Sequence, residues 1–215
     1  TFQIVTTTTS APPRYKLAEY EKKNLRWDPC GGQIRMKLNH GGRLNSTQLN
    51  EWETELLDIA SGIAAATDLD FVYAGTTTQE LATEHPGDGR HNADILIYIG
   101  PSGTGLLEGL DSSSASWIGQ GWLDGWTSGV WDEVHLYEIQ VGTSYATASY
   151  MWPYGKKFLM NWLGISFGLD TLELGINTEI MSWGNNGSGT STNPSWGTGD
   201  LIGFGLVGAN NGCVN

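Results

Sequence analysis

The sequence predicts an α/β fold in which a twisted, mostly parallel sheet packs against helices. Residues 33–39 alternate apolar and polar side chains, as a half-buried strand does. Residues 47–67 repeat apolar side chains at spacings of three and four, and residues 71–75 and 93–100 are two further apolar segments of strand length. A strand, a helix and two more strands in this order are typical of α/β proteins.

The long helix has the clearest signals. Asn45 or Ser46 can cap its N-terminus, and its apolar positions form one stripe: Leu49, Trp52, Leu56, Ile59, Ile63 and Ala66. The segment 93–100 is almost continuously apolar, which predicts a strand covered on both faces.

The second half of the chain is less regular. Residues 101–132 are rich in Gly, Ser and Trp and predict either a long surface excursion or a set of short edge strands. Residues 133–142 alternate again as a strand, and a helix is expected over about residues 154–170. A polar loop at 184–195 precedes a last short helix with Asp200 in its first turn.

Length and charge limit the function. The 215 residues are enough for a single domain, which we place at 14–215 behind an N-terminal arm at 1–13. The formal charge of -12 and the absence of a basic run argue against nucleic acid or an anionic membrane as the partner. No apolar run approaches the roughly 18 residues that span a bilayer. The chain starts at Thr1 without a methionine, so we expect a mature, secreted form.

The arm and the cysteines each support a hypothesis. The arm contains a β-prone piece, a threonine run and a Pro-Pro pair, so it is a candidate for adding a strand to a neighbouring copy and building an oligomer or filament.

The only cysteines, Cys30 and Cys213, cannot form a CxxC motif. In an oxidising compartment they would form a disulfide; two buried free thiols are the alternative.

Six blocks resemble, in order, the matrixin-like branch of the metzincin zinc proteases, in the form secreted by actinobacteria. The blocks are residues 26–39, 64–78, 93–97, 158–171, 179–181 and 196–213. The resemblance implies a metzincin-like fold, which has a twisted and mostly parallel sheet with an antiparallel edge strand, two long helices and a short C-terminal helix.

The resemblance also implies a lost metal site. The family motif HExxHxxGxxH supplies three zinc-binding histidines and a glutamate base. Here Gly168 stands at the turn of the motif, but Asn161, Ile165 and Thr171 occupy the ligand positions and Trp162 the glutamate position. An amide, an alkyl group and a hydroxyl do not make a zinc site, so we expect no catalytic zinc, no other cofactor and no peptidase activity.

Three other features of the sequence are candidate sites. Met181 matches the methionine turn that underlies the metal in the family, and without a metal its expected role is packing. The loop residues His85, Asp88 and His91, with Asp94, are weak candidates for a structural ion, but a solvated polar loop is the preferred interpretation. The tryptophans could stack on sugars, anchor a protein partner or simply cover the sheet; they are Trp117, Trp122, Trp126 and Trp131.

These observations favour a secreted, inactive metzincin-like protein that binds a protein partner or assembles with itself. Two alternatives stay open. One is a surface protein that binds cell-surface carbohydrate through its tryptophans, and the other is a metalloendopeptidase with a non-standard site. No GxSxG elbow, P-loop or GxGxxG motif supports another enzyme class.

Overall fold

The computed structural model describes nine parts of the chain. They are residues 14–20, 23–82, 92–101, 104–108, 117–123, 131–148, 155–172, 180–181 and 194–214, with only the backbone described at 20, 23, 117–123, 131–133 and 135. The predicted arm at 1–13 lies outside these residues. The division into an arm and one domain therefore stays a prediction.

Seven strands form one sheet in the order β1-β2-β7-β5-β3-β4, and β6 also pairs with β7. The strands are β1 Glu19–Tyr20, β2 Lys23–Arg26, β3 Ile34–Asn39, β4 Phe71–Thr76, β5 Ile95–Gly100, β6 Trp117–Leu123 and β7 Trp131–Gly142. The four central strands β4, β3, β5 and β7 are parallel. β6 runs antiparallel to β7, and β2 runs parallel to the first residues of β7. The predicted α/β class and its mostly parallel sheet are confirmed.

The described residues include four α-helices: α1 Ser46–Thr67, α2 Thr143–Ala146, α3 Lys156–Ser166 and α4 Thr198–Val207. Asn45 caps α1 through a reciprocal pair of bonds with Gln48, since the Gln48 N–H donates to Asn45 Oδ1 and the Asn45 N–H donates to Gln48 Oε1, both at 3.0 Å. The helix predicted over about residues 154–170 is found as α3, which ends earlier than expected, at Ser166, while residue 154 lies outside the described residues. Within the described residues no helix is both long and apolar enough to cross a membrane.

The core lies between the helices and one face of the sheet. Phe167, just after α3, is fully buried at its centre. Its ring lies 4.7 Å from Phe71 of β4 and 6.4 Å from Phe204 of α4, measured between centroids, and both pairs are edge-on. One buried cluster joins these rings to Trp52 and Leu56 of α1. The end of α3 is thereby packed against the sheet and against the helices α1 and α4.

The strand β7 differs from a simple half-exposed strand. Glu138 and Gln140, on its polar positions, are completely buried. Glu138 Oε1 accepts a bond of 2.7 Å from the Ala82 N–H, and Gln140 Oε1 accepts one of 2.7 Å from the Leu106 N–H. These side chains tie loop backbone to the second face of the sheet, because a buried polar group needs a hydrogen-bond partner.

Cys30 and Cys213 form a disulfide, with their Cα atoms 5.4 Å apart. It closes a loop of 183 residues and joins the segment after β2 to the segment after α4. Asp28 reinforces the junction, since its Oδ1 accepts bonds of 3.0 Å from the N–H groups of Cys30 and Val214. The start and the end of the described chain are thus held together.

Candidate functional site

Asn161 lies in the middle of α3, where the family motif would place its first zinc ligand. The side chain is 7 % exposed, and its Nδ2 donates to the carbonyl oxygen of Ile180 at 3.2 Å. The same nitrogen is 3.9 Å from the sulfur of Met181. The amide therefore stabilises the turn at 180–181 through its donor group.

Gly164 and Met181 are packed against each other. A β-carbon at position 164 would overlap the Met181 sulfur and would also lie 3.6 Å from the Trp196 ring. Met181 is 2 % exposed and belongs to the main core. A glycine in the interior of α3 costs about 1 kcal/mol relative to alanine. The close approach of the methionine explains why the position is glycine.

Trp162 and Ile165 project from the same helix and are partly buried. Both pack against the main hydrophobic cluster. In the family motif these two positions hold the glutamate base and the second histidine, and here they are an indole and an alkyl group. Neither can hold a zinc ion, and Ile165 has no proton to exchange with a water molecule.

Gly168 forms the turn that ends α3. Its φ is +92°, in the left-handed region, and a β-carbon there would overlap the carbonyl oxygen of Leu25. The carbonyl of Gly168 accepts a bond of 2.7 Å from the Ala18 N–H. The positive φ and the close approach to Leu25 both require a glycine at this turn.

Thr171 follows the turn. Its N–H donates to Asp170 Oδ1 at 2.7 Å, and its hydroxyl lies 3.4 Å from the same oxygen. The Asp170 carboxylate also pairs with Lys16. One residue further on, the Leu172 N–H donates to the Met181 carbonyl at 2.7 Å. The chain thus returns to the turn at 180–181, and the Thr171 hydroxyl lies against the neighbouring Asp170 carboxylate.

Asp200 is the residue of this site whose role the sequence did not reveal. It is 1 % exposed, and Oδ2 accepts bonds from the N–H groups of Ile180 at 2.6 Å and Gly197 at 2.9 Å. Oδ1 accepts a longer bond of 3.3 Å from Met181. One carboxylate thereby caps α4 and holds the turn at 180–181. The sequence placed Asp200 in the first turn of a helix, but a contact across 20 residues has no local signal.

Two lysines on α3 have shifted pKa values. Burial lowers the pKa of Lys156, but its bonds of 2.7 Å to Asp58 and Glu55 of α1 more than offset this, so the net shift is upward. Burial lowers the pKa of Lys157, and the charge of Asp200 opposes that shift only partly. The contacts of Lys156 with Glu55 and Asp58 link α3, the helix that carries Asn161, to α1.

The other candidate residues lie outside α3 and the turn at 180–181. His85, Asp88, His91 and Trp126 fall outside the described residues, so no contact of theirs is given. Asp94 is described, and it pairs with Arg35, whose Nε lies 2.9 Å from Asp94 Oδ2. The β-sheet register places Trp117 beside Val141, Trp122 beside Leu136 and Trp131 beside Asn24. Their use as a binding surface stays a prediction.

A further group of metal-ligating residue types lies at the disulfide. One ligand atom from each of Asp28, Cys30 and Cys213 lies within 4.8 Å of the others. Both sulfurs are in the disulfide, and the thiolate is the form that binds metal ions. In this oxidised form the group is a structural junction.

A scan against protein-family models finds no match to this chain, and a search of curated proteins finds no significant relative.

Proposed function

We propose that this chain is a non-catalytic binding or assembly domain built on a metzincin-like scaffold. The observation that carries the proposal is the contact of Asn161 with Ile180 and Met181. At the position where the resemblance places a zinc ligand, a buried amide forms bonds to the methionine turn itself. The frame of the site is retained, and its chemistry is replaced by packing.

The arrangement of elements supports the scaffold. A mostly parallel sheet with the antiparallel strand β6, the helix α3, a glycine turn and a buried methionine follow each other in the order that the resemblance implies. Asp200 accepts a hydrogen bond from the Ile180 N–H in this turn, and Gly164 leaves room for the Met181 sulfur. The turn is therefore stabilised by the protein's own contacts.

The donor set supports the absence of zinc-dependent hydrolysis. Zinc in catalytic sites is held by imidazole, thiolate or carboxylate groups and activates a water molecule. Asn161, Ile165 and Thr171 offer none of these groups, and Trp162 offers no base. A hydrolase of this mechanism would lack both its metal and its proton acceptor.

Binding of a peptide requires neither a metal ion nor a catalytic base. A sheet edge can take up an extended peptide through main-chain hydrogen bonds, and that mode does not depend on a metal. Among the described residues β6 pairs with β7 alone, so its other edge is the natural place for such a peptide. The partner is a protein, either a second copy of this chain or another polypeptide. The disulfide is in keeping with an oxidising, extracellular location.

Elemental analysis and a cleavage assay test this proposal together. The full chain, purified without chelator and dialysed against trace zinc, is expected to hold no stoichiometric zinc and to cleave neither casein nor a peptide library. The assays are run with and without a chelator. About one tightly held zinc per chain that is lost on Asn161→Ala, or cleavage that the chelator stops, would reject the proposal. Asp68→Ala, which alters an exposed carboxylate at the end of α1, is the matched control for the zinc measurement.

A further inference from the structure

The junction at the disulfide brings together side chains of the types that bind zinc. One ligand atom from each of Asp28, Cys30 and Cys213 lies within 4.8 Å of the others, although the two cysteines are 183 residues apart in the chain. Thiolate and carboxylate groups are zinc ligands, and the cysteines become thiolates only when the disulfide is reduced. The fold therefore assembles a ligand group that no local sequence motif shows.

The distances in this group are close to those of a tetrahedral zinc site. With Zn–S bonds of about 2.3 Å and Zn–O bonds of about 2.0 Å, two ligand atoms of such a site lie roughly 3.5–3.8 Å apart. The Asp28 oxygen already lies within 4.8 Å of both sulfurs, so it needs to move by only roughly 1 Å. Because the Cα atoms of the cysteines are 5.4 Å apart, rotation about the Cα–Cβ bonds separates the sulfurs far enough with the backbone in place.

The Asp28 carboxylate is held by the two segments that carry the cysteines. Its Oδ1 accepts bonds of 3.0 Å from the N–H groups of Cys30 and Val214. In metal sites a ligating carboxylate is itself hydrogen-bonded, which fixes its orientation toward the ion. The third ligand is therefore oriented by the backbone before any metal binds.

Contacts other than the disulfide also keep the two segments together. Arg26 Nη2 donates to the carbonyl oxygens of Asn211 at 3.4 Å and of Cys213 at 3.2 Å. A β-carbon at Gly208 would overlap the carbonyl oxygen of Thr67, so the chain that leads to Cys213 is packed closely against the end of α1. Reduction removes one covalent bond but none of these contacts, so the ligand group stays preorganised.

The sulfurs are accessible from solvent. Cys30 and Cys213 are both exposed, and Asp28 is partly buried. No atom lies within 4 Å of the places where β-carbons of Gly32 and Gly212 would be. A reductant and a hydrated metal ion can therefore reach the junction. Because two of the three ligands are sulfurs, zinc suits the group better than magnesium or calcium, which prefer oxygen.

We propose that reduction of the disulfide converts the junction into a zinc site held by Cys30 Sγ, Cys213 Sγ and an Asp28 carboxylate oxygen, with a water molecule as the fourth ligand. A dithiol supplies the two electrons and two protons that turn the disulfide into two thiols, and the dithiol itself becomes a disulfide. The zinc ion then displaces both thiol protons. The ion replaces the covalent bond as the link between the two segments.

This site shares no residue with the positions of the family motif on α3. It goes beyond the proposed function and does not rest on it. The junction would have two interchangeable closed forms, one oxidised and one metal-bound, which depend on the availability of dithiol and zinc.

Metal binding by the reduced full chain tests the site. The chain is reduced with a phosphine, which is removed without air, and is then dialysed against trace zinc. About one zinc per reduced chain is expected, and none in the oxidised chain. Cys30→Ser should weaken zinc binding about 100-fold or more, because one of three protein ligands is lost. Cobalt(II) on the reduced chain should show thiolate-to-metal charge-transfer absorption, which reports the sulfur ligands directly.

Asp28→Asn tests the third ligand. The asparagine keeps an oxygen that can accept the bonds from Cys30 and Val214, but it removes the charge, so zinc binding should weaken about tenfold or more. Glu51→Gln is the matched control, because Glu51 is exposed and lies roughly 24 Å along α1 from Thr67, the residue packed against Gly208.

Circular dichroism follows the fold in each form. If the reduced chain unfolds without metal, zinc should restore its structure, because metal binding is then coupled to folding. A reduced chain that neither binds zinc nor is restored by it would overturn the inference. So would equal zinc binding by the oxidised chain, by Cys30→Ser, or by Asp28→Asn and Glu51→Gln. The zinc and cleavage assays of the proposed function use the chain with its disulfide intact, so the two proposals fail separately.

Discussion

The sulfur of Met181 lies so close to Gly164 that a β-carbon at position 164 would overlap it. The contact joins α3 to the turn at 180–181, and the same turn is bound by Asn161, also on α3, and by Asp200 on α4. The turn is therefore held by one packing contact and two polar side chains. Each of the three can be tested by substitution.

Gly164→Ala is expected to destabilise the protein by up to about 2 kcal/mol. The gain in helix propensity, about 1 kcal/mol, is smaller than the cost of overpacking, about 1–3 kcal/mol, because Met181 is buried and has Asn161 beside it. Urea unfolding measures the change. Gly205→Ala, with open space around an exposed helical glycine, should stabilise by about 0.5–1 kcal/mol instead. Equal effects of the two changes would contradict the packing account.

Gly168→Ala is expected to be the more severe change, with a loss of about 3–5 kcal/mol. The new side chain meets both a φ of +92° and the carbonyl oxygen of Leu25. Gly32→Ala separates the two causes, because Gly32 has a φ of +96° and nothing within 4 Å of its β-carbon position. It should lose only about 1–2 kcal/mol. If Gly168→Ala and Gly32→Ala lowered the free energy of unfolding by similar amounts in thermal or urea unfolding, the overlap with Leu25 would have no energetic cost.

Asp200→Ala is expected to destabilise by about 3 kcal/mol, because the N–H groups of Ile180, Met181 and Gly197 lose their acceptor. Asp200→Asn keeps one acceptor oxygen and should lose about half as much. Denaturant unfolding of both variants gives the ranking. If the asparagine variant were the less stable of the two, the hydrogen-bond explanation would be wrong.

Stability at high pH should depend on Tyr137. Burial raises the pKa of this phenol, which is 6 % exposed, so it stays neutral in the fold while the unfolded chain ionises near pH 10. Above about pH 10 the unfolded state binds fewer protons, so stability falls as pH rises, by up to about 1.4 kcal/mol per pH unit for this group. Burial and the nearby Glu53 also raise the pKa of Tyr73, which adds a loss of the same sign.

Tyr137→Phe is expected to make this alkaline loss shallower by close to one proton. Urea unfolding between pH 9 and about 11.5 measures the slope. Tyr15→Phe is the control, because it removes a phenol that is 44 % exposed. An unchanged slope in the Tyr137 variant would show that its burial has no linkage to folding.

The regular elements were predictable because their signals are local. The apolar spacing of α1 and the Asn45 cap define a helix that the structure places at Ser46–Thr67, one residue from the expected start. The apolar run of β5 predicted burial on both faces, and Ile95, Leu96 and Ile97 are completely buried. In both cases a short stretch of sequence contains the whole pattern.

The rest depends on contacts between distant residues. β1 and β2 are short and polar, and the pairing of β2 with Trp131–Glu133 of β7 has no local signal. The alternation in residues 133–142 predicted a strand, but it gave no sign that the polar Glu138 and Gln140 are buried under loops. Among the described site residues, the motif located Asn161 and Gly168 by position, whereas the bond from Asn161 to Ile180 and the role of Asp200 required the fold.

Zinc binding by a restored variant tests the central claim most directly. The four changes Asn161→His, Trp162→Glu, Ile165→His and Thr171→His recreate the family motif on this frame. If the chain retains a metzincin-like frame with its chemistry replaced, the folded variant should bind about one zinc per chain, and the unchanged protein should bind none under the same conditions. Stoichiometric zinc in the unchanged protein, or a folded variant that binds none, would contradict the account.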